Sequence, residues 1–148
     1  GKARFAPNSM RTEDYSMKHS LCLLTASLLS CAGSVYAATP ADACANLGEA
    51  RTNLVAMLGE ADATKYDGYK AKVAEATGKL DKDLAAMASG PDAAKVSAFK
   101  PVWEAFKATR DKEIIPAIYA GNKDKAKELA TGVQAGRMKE MKAAMGCQ

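Results

Sequence analysis

From residue 40 onward, apolar side chains recur every third or fourth position, the spacing of one face of an α-helix. Cys44, Leu47, Arg51, Leu54, Leu58 and Ala61 trace such a stripe over 40–61. After a turn at 62–65, Tyr66, Tyr69, Val73, Ala76, Leu80, Leu84 and Met87 trace a second over 66–88. Ser89-Gly90-Pro91-Asp92 reads as a stop followed by a start, with Gly as C-cap and Asp as N-cap. A third stripe, Val96, Phe99, Trp103, Phe106, Arg110, Ile114 and Ala117, covers 93–120. Pro101 and Pro116 lie inside it, and each should kink or break the helix, because proline lacks the backbone donor. Gly121-Asn122 closes this helix and caps a fourth over 123–146, with Ala126, Leu129, Val133, Arg137, Glu140 and Ala144 on its stripe.

Four amphipathic helices joined by short turns predict an all-α fold, an antiparallel up-down-up-down four-helix bundle. The segment is rich in Ala, Lys, Glu, Leu and Met, all good helix formers. It reads as one domain over 38–148, a length sufficient for a single core.

The preceding residues have another character. Met17-Lys18-His19 is a short basic start, and 21–32 is apolar but too short to span a bilayer. Val35-Tyr36-Ala37 fits the small-x-small pattern before signal-peptidase cleavage. Residues 17–37 thus read as a secretory signal peptide, with 1–16 as upstream or expression-derived sequence, and the expected location is periplasmic or secreted. Leu28-Leu29-Ser30-Cys31 also resembles a lipobox, so anchoring through a lipidated Cys31 is the competing arrangement. No later stretch is apolar enough for a membrane span.

That compartment bears on the cysteines. Cys22 and Cys31 fall in the leader, leaving Cys44 and Cys147 near the two ends of the helical region. Up-down-up-down topology brings both to one end of adjacent helices, and an oxidising environment favours a Cys44–Cys147 disulfide. The formal charge of +4 falls to near neutrality without the leader. With no basic run carrying interleaved aromatics, nucleic-acid binding is not expected.

Beyond the leader the chain has only three arginines, Arg51, Arg110 and Arg137, against a lysine-rich background. Each falls on the stripe of a different helix. Arginine is suited to planar, bidentate recognition of carboxylate or phosphate. With the end carrying the helix 1–2 and helix 3–4 turns taken as the top, helical rise puts Arg51 and Arg110 roughly 16 Å below it and Arg137 roughly 22 Å. Three cations in one middle layer predict a small-anion site, with Trp103 nearby. The competing account is structural: Glu113 follows Arg110 by three residues and Glu140 follows Arg137 by three, so both have local partners. Arg51 has no acidic residue three or four positions away.

The only histidine, His19, lies in the leader, which leaves no imidazole for general-base catalysis, a metal or a haem axial position. Ser89 and Ser97 have no histidine to activate them, so an enzyme is not expected, and neither is a cofactor. Met138, Met141 and Met145 form a helical row that suits either core packing or a thioether site for Cu(I). Tyr66, Tyr69 and Tyr119 should gather near the top, either as an aromatic lining or as a core edge with exposed hydroxyls.

The run Trp103-Glu104-Ala105-Phe106-Lys107-Ala108-Thr109-Arg110-Asp111-Lys112-Glu113-Ile114-Ile115-Pro116-Ala117, followed by Gly121-Asn122 and Ala126, resembles the second hairpin of the four-helix-bundle sensory modules of bacterial chemoreceptors. That resemblance implies an extracytoplasmic bundle binding small amino or organic acids, with Arg51, Arg110 and Arg137 as its candidate ligands, and a homodimer or receptor as partner. Without a second span or a signalling domain, a sensory-accessory role is the expectation. A second resemblance, to the cytochrome b562-like periplasmic bundles, rests on size and a late Gly-Asn turn. It implies haem, for which Met57 or Met141 would be the sulfur ligands, but the family's last-helix histidine is missing.

Overall fold

The structure, a computed structural model, describes residues 37–148. The expected signal peptide, but for its last residue, and the expected alternative anchor at Cys31 therefore lie outside the described residues. Within them the chain is all-helical, with four helical rods and no strand. The first rod, α1, spans Pro40–Gly59. Thr39 caps it in a reciprocal box: its hydroxyl accepts from the Asp42 amide at 3.2 Å while the Asp42 carboxylate accepts from the Thr39 amide at 2.9 Å. Pro40 occupies the first turn, where no amide partner is needed. A 3-10 turn at Ala63–Lys65 leads into α2, Tyr66–Met87.

The third rod is composite. Helix α3, Ala93–Thr109, continues through Pro101, where a kink or break was expected. Pro116 does perturb the chain. A π-helical turn, Arg110–Ile114, precedes a short α4, Ile115–Tyr119, with the proline in its first turn. In regular α-helix the Pro116 ring would strike the carbonyl four residues back, and a widened turn just before it relieves that clash. Gly121, at φ 75°, and Asn122 then form the expected turn, with the Asn122 side chain accepting from the Lys125 amide at 3.3 Å.

The fourth rod is also broken. Helix α5 spans Lys123–Thr131 and α6 spans Val133–Met145, interrupted at Gly132. The interruption resets the helical phase. The face expected from Val133, Arg137, Glu140 and Ala144 is not the core face; Gln134, Met138, Met141 and Met145 are buried instead.

Helix α1 packs closely on α2, and α3 on α6. One apolar cluster includes Leu47, Leu80, Leu84, Phe99, Trp103, Phe106, Met141 and Met145. A second, toward the 3-10 turn and the Gly121 turn, includes Leu54, Met57, Val73, Ile114, Ile118 and Ala126. Each side chain of this size fully buried contributes about 1.5–3 kcal/mol. The expected disulfide is present: Cys44 and Cys147 are bonded across a Cα separation of 5.6 Å, tying the start of α1 to the residue after α6.

Candidate functional site

The three arginines go to three different surroundings. Arg110 is 4% exposed, held in the π turn. Its Nε and Nη2 donate to the two carboxylate oxygens of Asp111 at 2.7 and 3.0 Å, and Nη1 donates to the Thr77 hydroxyl of α2 at 2.8 Å. Its partner is therefore the adjacent Asp111 and not Glu113. Arg137 is half-buried between α6 and α3, with Nη1 donating to the Thr109 hydroxyl at 2.7 Å and to the Gln134 carbonyl oxygen at 3.0 Å. Glu140 is exposed and makes no ion pair with it among the described residues. Arg110 and Arg137 thus brace neighbouring helices with hydrogen bonds.

Arg51 differs. The buried face of α1, with Ala43, Leu47, Ala50, Leu54 and Met57, shares Leu47 and Leu54 with the stripe read from the sequence but has Ala50 where that stripe has Arg51. One residue is 100° of helical rotation, which carries Arg51 from the core to an exposed edge. There it borders a groove of about 650 Å³ between α1 and the α5–α6 rod. Leu54, Val55 and Leu58 of α1, Phe106 of α3, and Ala130 and Ala135 wall the groove, with Lys127 of α5 as a second cation. Among the described residues, no carboxylate pairs with either cation. Gln134 lies at its base, 3% exposed, with Nε2 donating to the Phe106 carbonyl at 2.9 Å. Arg110 and Arg137 line other hollows, so the three cations do not share one.

Trp103, expected near the ligand, is fully buried and borders none of these three hollows. Its indole N–H donates to Asp81 of α2 at 2.6 Å, and the same carboxylate accepts from Lys107 at 3.1 and 3.2 Å. The Lys107 ammonium and the Arg110 guanidinium lie 5.4 and 5.8 Å from the indole centroid, both in cation–π range. Burial alone pulls the Lys107 pKa down, but its bonds to Glu104 and Asp81 outweigh that, and the net direction is up. The network fastens α2 to α3 through groups already satisfied.

Met138, Met141 and Met145 belong to the apolar cluster around Trp103, the arrangement expected of core packing. Met57 and Met141, the sulfurs suggested by the cytochrome resemblance, sit in separate clusters. Among the described residues there is no group of three or more His, Cys, Asp or Glu able to hold a metal, and no helix is long and apolar enough to cross a membrane. The tyrosines do gather: the Tyr66 and Tyr119 rings meet edge-on at 5.7 Å, and Tyr69 packs on the same cluster. Two hydroxyls have partners, Tyr66 donating to the Glu60 carbonyl at 3.2 Å and Tyr119 to Asp67. The Asp67 bond, with burial and charge adding to it, holds the Tyr119 phenol above its ordinary pKa.

Lys127, Gln134 and Asp83 were missed in the sequence. Asp83 is buried on α2 and accepts from the Asn46 amide of α1 at 2.6 Å. Its position three after Leu80 and four before Met87 was a usable signal, a polar residue on an apolar stripe. Lys127 had none, because it is one lysine among many. Compared with protein-family models, with curated proteins and with solved structures, the chain matches none.

Proposed function

We propose that this chain is an extracytoplasmic binding module, an antiparallel up-down-up-down bundle that holds a small anionic molecule in the α1/α5–α6 groove. The observation that carries the reading is Arg51: a guanidinium with no acidic partner among the described residues, lining, with Lys127 on the other wall, a hollow of ligand size. Unpaired cations against an apolar wall attract an anion more strongly than the same charges in open solvent, because the local dielectric is lower. The role is binding or sensory accessory, not catalysis, in keeping with the resemblance to chemoreceptor sensory modules. The site consists of Arg51 and Lys127. Arg110, Arg137 and Trp103 support the helices around it.

A thermal-shift screen over carboxylates and phosphates tests this. An anion at a hundred times its dissociation constant should add about 2.7 kcal/mol, and Arg51→Ala should abolish the effect. An unchanged melting temperature across the screen would overturn the proposal. A second reading, a structural or partner-binding bundle without a ligand, is favoured by one observation: Arg110 and Arg137 are hydrogen-bonded to side chains of neighbouring helices. It predicts that no anion shifts the melting temperature.

A further inference from the structure

We infer that the anion of this groove is amphiphilic: a single carboxylate or sulfate head on Arg51 and Lys127, with an aliphatic body against Leu54, Leu58 and Phe106. This rests on the reading that the groove binds an anion.

The argument comes from which polar groups are still available. The two cations stand on different walls of the one groove, Arg51 on α1 and Lys127 on α5, so its positive charge faces an entering head from both sides. Below them, the polar side chains already hold partners within the fold. The Gln134 amide donates to the Phe106 carbonyl and accepts from Arg137. The Thr131 hydroxyl donates to the Lys127 carbonyl at 2.8 Å. A compact di- or triacid would set its second carboxylate against Leu54, Leu58 and Phe106 without a donor. An unpaired charge there is strongly disfavoured. A hydrocarbon body meets the opposite situation, since the same wall removes it from water.

The space has a structural cause. Helix α1 meets α5 and α6 at only a few points, and the wall residues there are small: Gly59, Ala130 and Ala135. Val55 remains 49% exposed on the rim, an apolar surface that a bound chain would cover.

Calorimetric titration of the purified protein with butyrate, hexanoate, octanoate, 1-octanol and citrate tests the inference. From butyrate to octanoate the Kd should tighten about two- to fourfold per methylene, the upper value being the full burial of one CH₂. Neutral 1-octanol should bind at least tenfold more weakly than octanoate, and citrate no better than butyrate. Two variants at exposed positions of α1 give the site. Arg51→Ala should weaken octanoate about tenfold or more while keeping the chain-length dependence, as expected for loss of a charge-assisted contact. Val55→Glu places a carboxylate four residues after Arg51, where it competes for the guanidinium, and should weaken octanoate similarly.

If butyrate and citrate bind as tightly as octanoate, and only with Arg51 present, the anion reading stands and the amphiphile inference fails. If octanoate and 1-octanol bind equally and Arg51→Ala changes nothing, or if nothing binds, both fail. If Val55→Glu binds octanoate as well as the parent, the acid sits elsewhere and the inference is overturned.

Discussion

Trp103 is the only tryptophan in the chain, and its indole N–H has one acceptor, the Asp81 carboxylate at 2.6 Å. Replacing Asp81 with Ala leaves a donor on a fully buried ring without its partner. A hydrogen bond to a charged group contributes about 1.5–3 kcal/mol to stability. The Asp81 side chain is 44% exposed, so water can reach the vacated position, which holds the loss to the low end, about 1.5 kcal/mol. Two smaller terms act on the same variant. Lys107 loses one surface partner but keeps Glu104 at 2.9 Å, a change of at most about 0.5 kcal/mol. Alanine is the better helix former at an exposed position of α2, which returns about 0.5 kcal/mol. These two terms oppose each other and nearly cancel, so the single variant should lose about 1.5 kcal/mol, and a double-mutant cycle removes both side effects. Asp81→Ala, Trp103→Phe and the double variant, unfolded in urea and followed by far-ultraviolet circular dichroism, should give a coupling energy of about 1.5 kcal/mol. At a slope of 1–3 kcal/mol/M, this is a midpoint difference of roughly 0.5–1.5 M. A coupling below about 0.5 kcal/mol would mean that the bond does not fasten α2 to α3.

Gly132→Ala should destabilise the fold by about 1–3 kcal/mol, although helix propensity alone favours alanine by about 1 kcal/mol: an added Cβ would lie 2.9 Å from the Glu128 backbone oxygen, which cannot move aside cheaply. A rise in melting temperature would refute that. Reducing the Cys44–Cys147 bond, which closes a separation of 103 residues, should cost about 4–5 kcal/mol in the chain-entropy model, measured as the melting difference with and without reductant. The Thr39 hydroxyl and amide hold the Asp42 carboxyl below its ordinary pKa, so the native state binds its proton less readily than the unfolded chain. The cap's contribution is therefore complete above the unfolded aspartate pKa and is lost as pH falls through the lower folded one; an NMR titration should place the Asp42 midpoint below that of free aspartate, and Thr39→Ala, which removes the hydroxyl and keeps the amide, should return it part of the way.

The helical rods were legible because their signals are local. All seven residues of the stripe over 93–120, from Val96 to Ala117, are buried, with Thr109 and Ile115 beside them, since residues at 3-4 spacing fix a helical phase. The Gly121-Asn122 turn follows from the φ of 75° that glycine tolerates. The phase error in the last rod has an equally local cause. Gly132 lies in the middle of the helical pattern over 123–146, and its break rotates everything after it, turning the methionine row inward and Glu140 outward. The one-residue offset on α1 has a different origin. That helix carries small residues on two adjacent faces, Ala43 and Ala50 on one and Cys44 on the next, so its apolar pattern does not choose between them.

The arginines separate two kinds of information. That Arg110 and Arg137 are structural depended on Thr77 and Thr109, neutral hydroxyls on other helices 33 and 28 residues away, which no sequence spacing announces. A search for acidic partners therefore named Glu113 and Glu140, and both were wrong. That Arg51 lacks a partner was already visible, because helix surfaces pair residues three and four apart and those positions hold Gly48, Leu54, Leu47 and Val55. The same four positions explain the site. A cation flanked by apolar neighbours on its own helix can find a protein carboxylate only across a gap. The gap here is walled by Ala130 and Ala135 and offers a second cation, Lys127, in place of a carboxylate. Among the described residues no carboxylate complements this groove, which is the physical reason to look for the proposed anion at Arg51 and not at the two arginines buried more deeply.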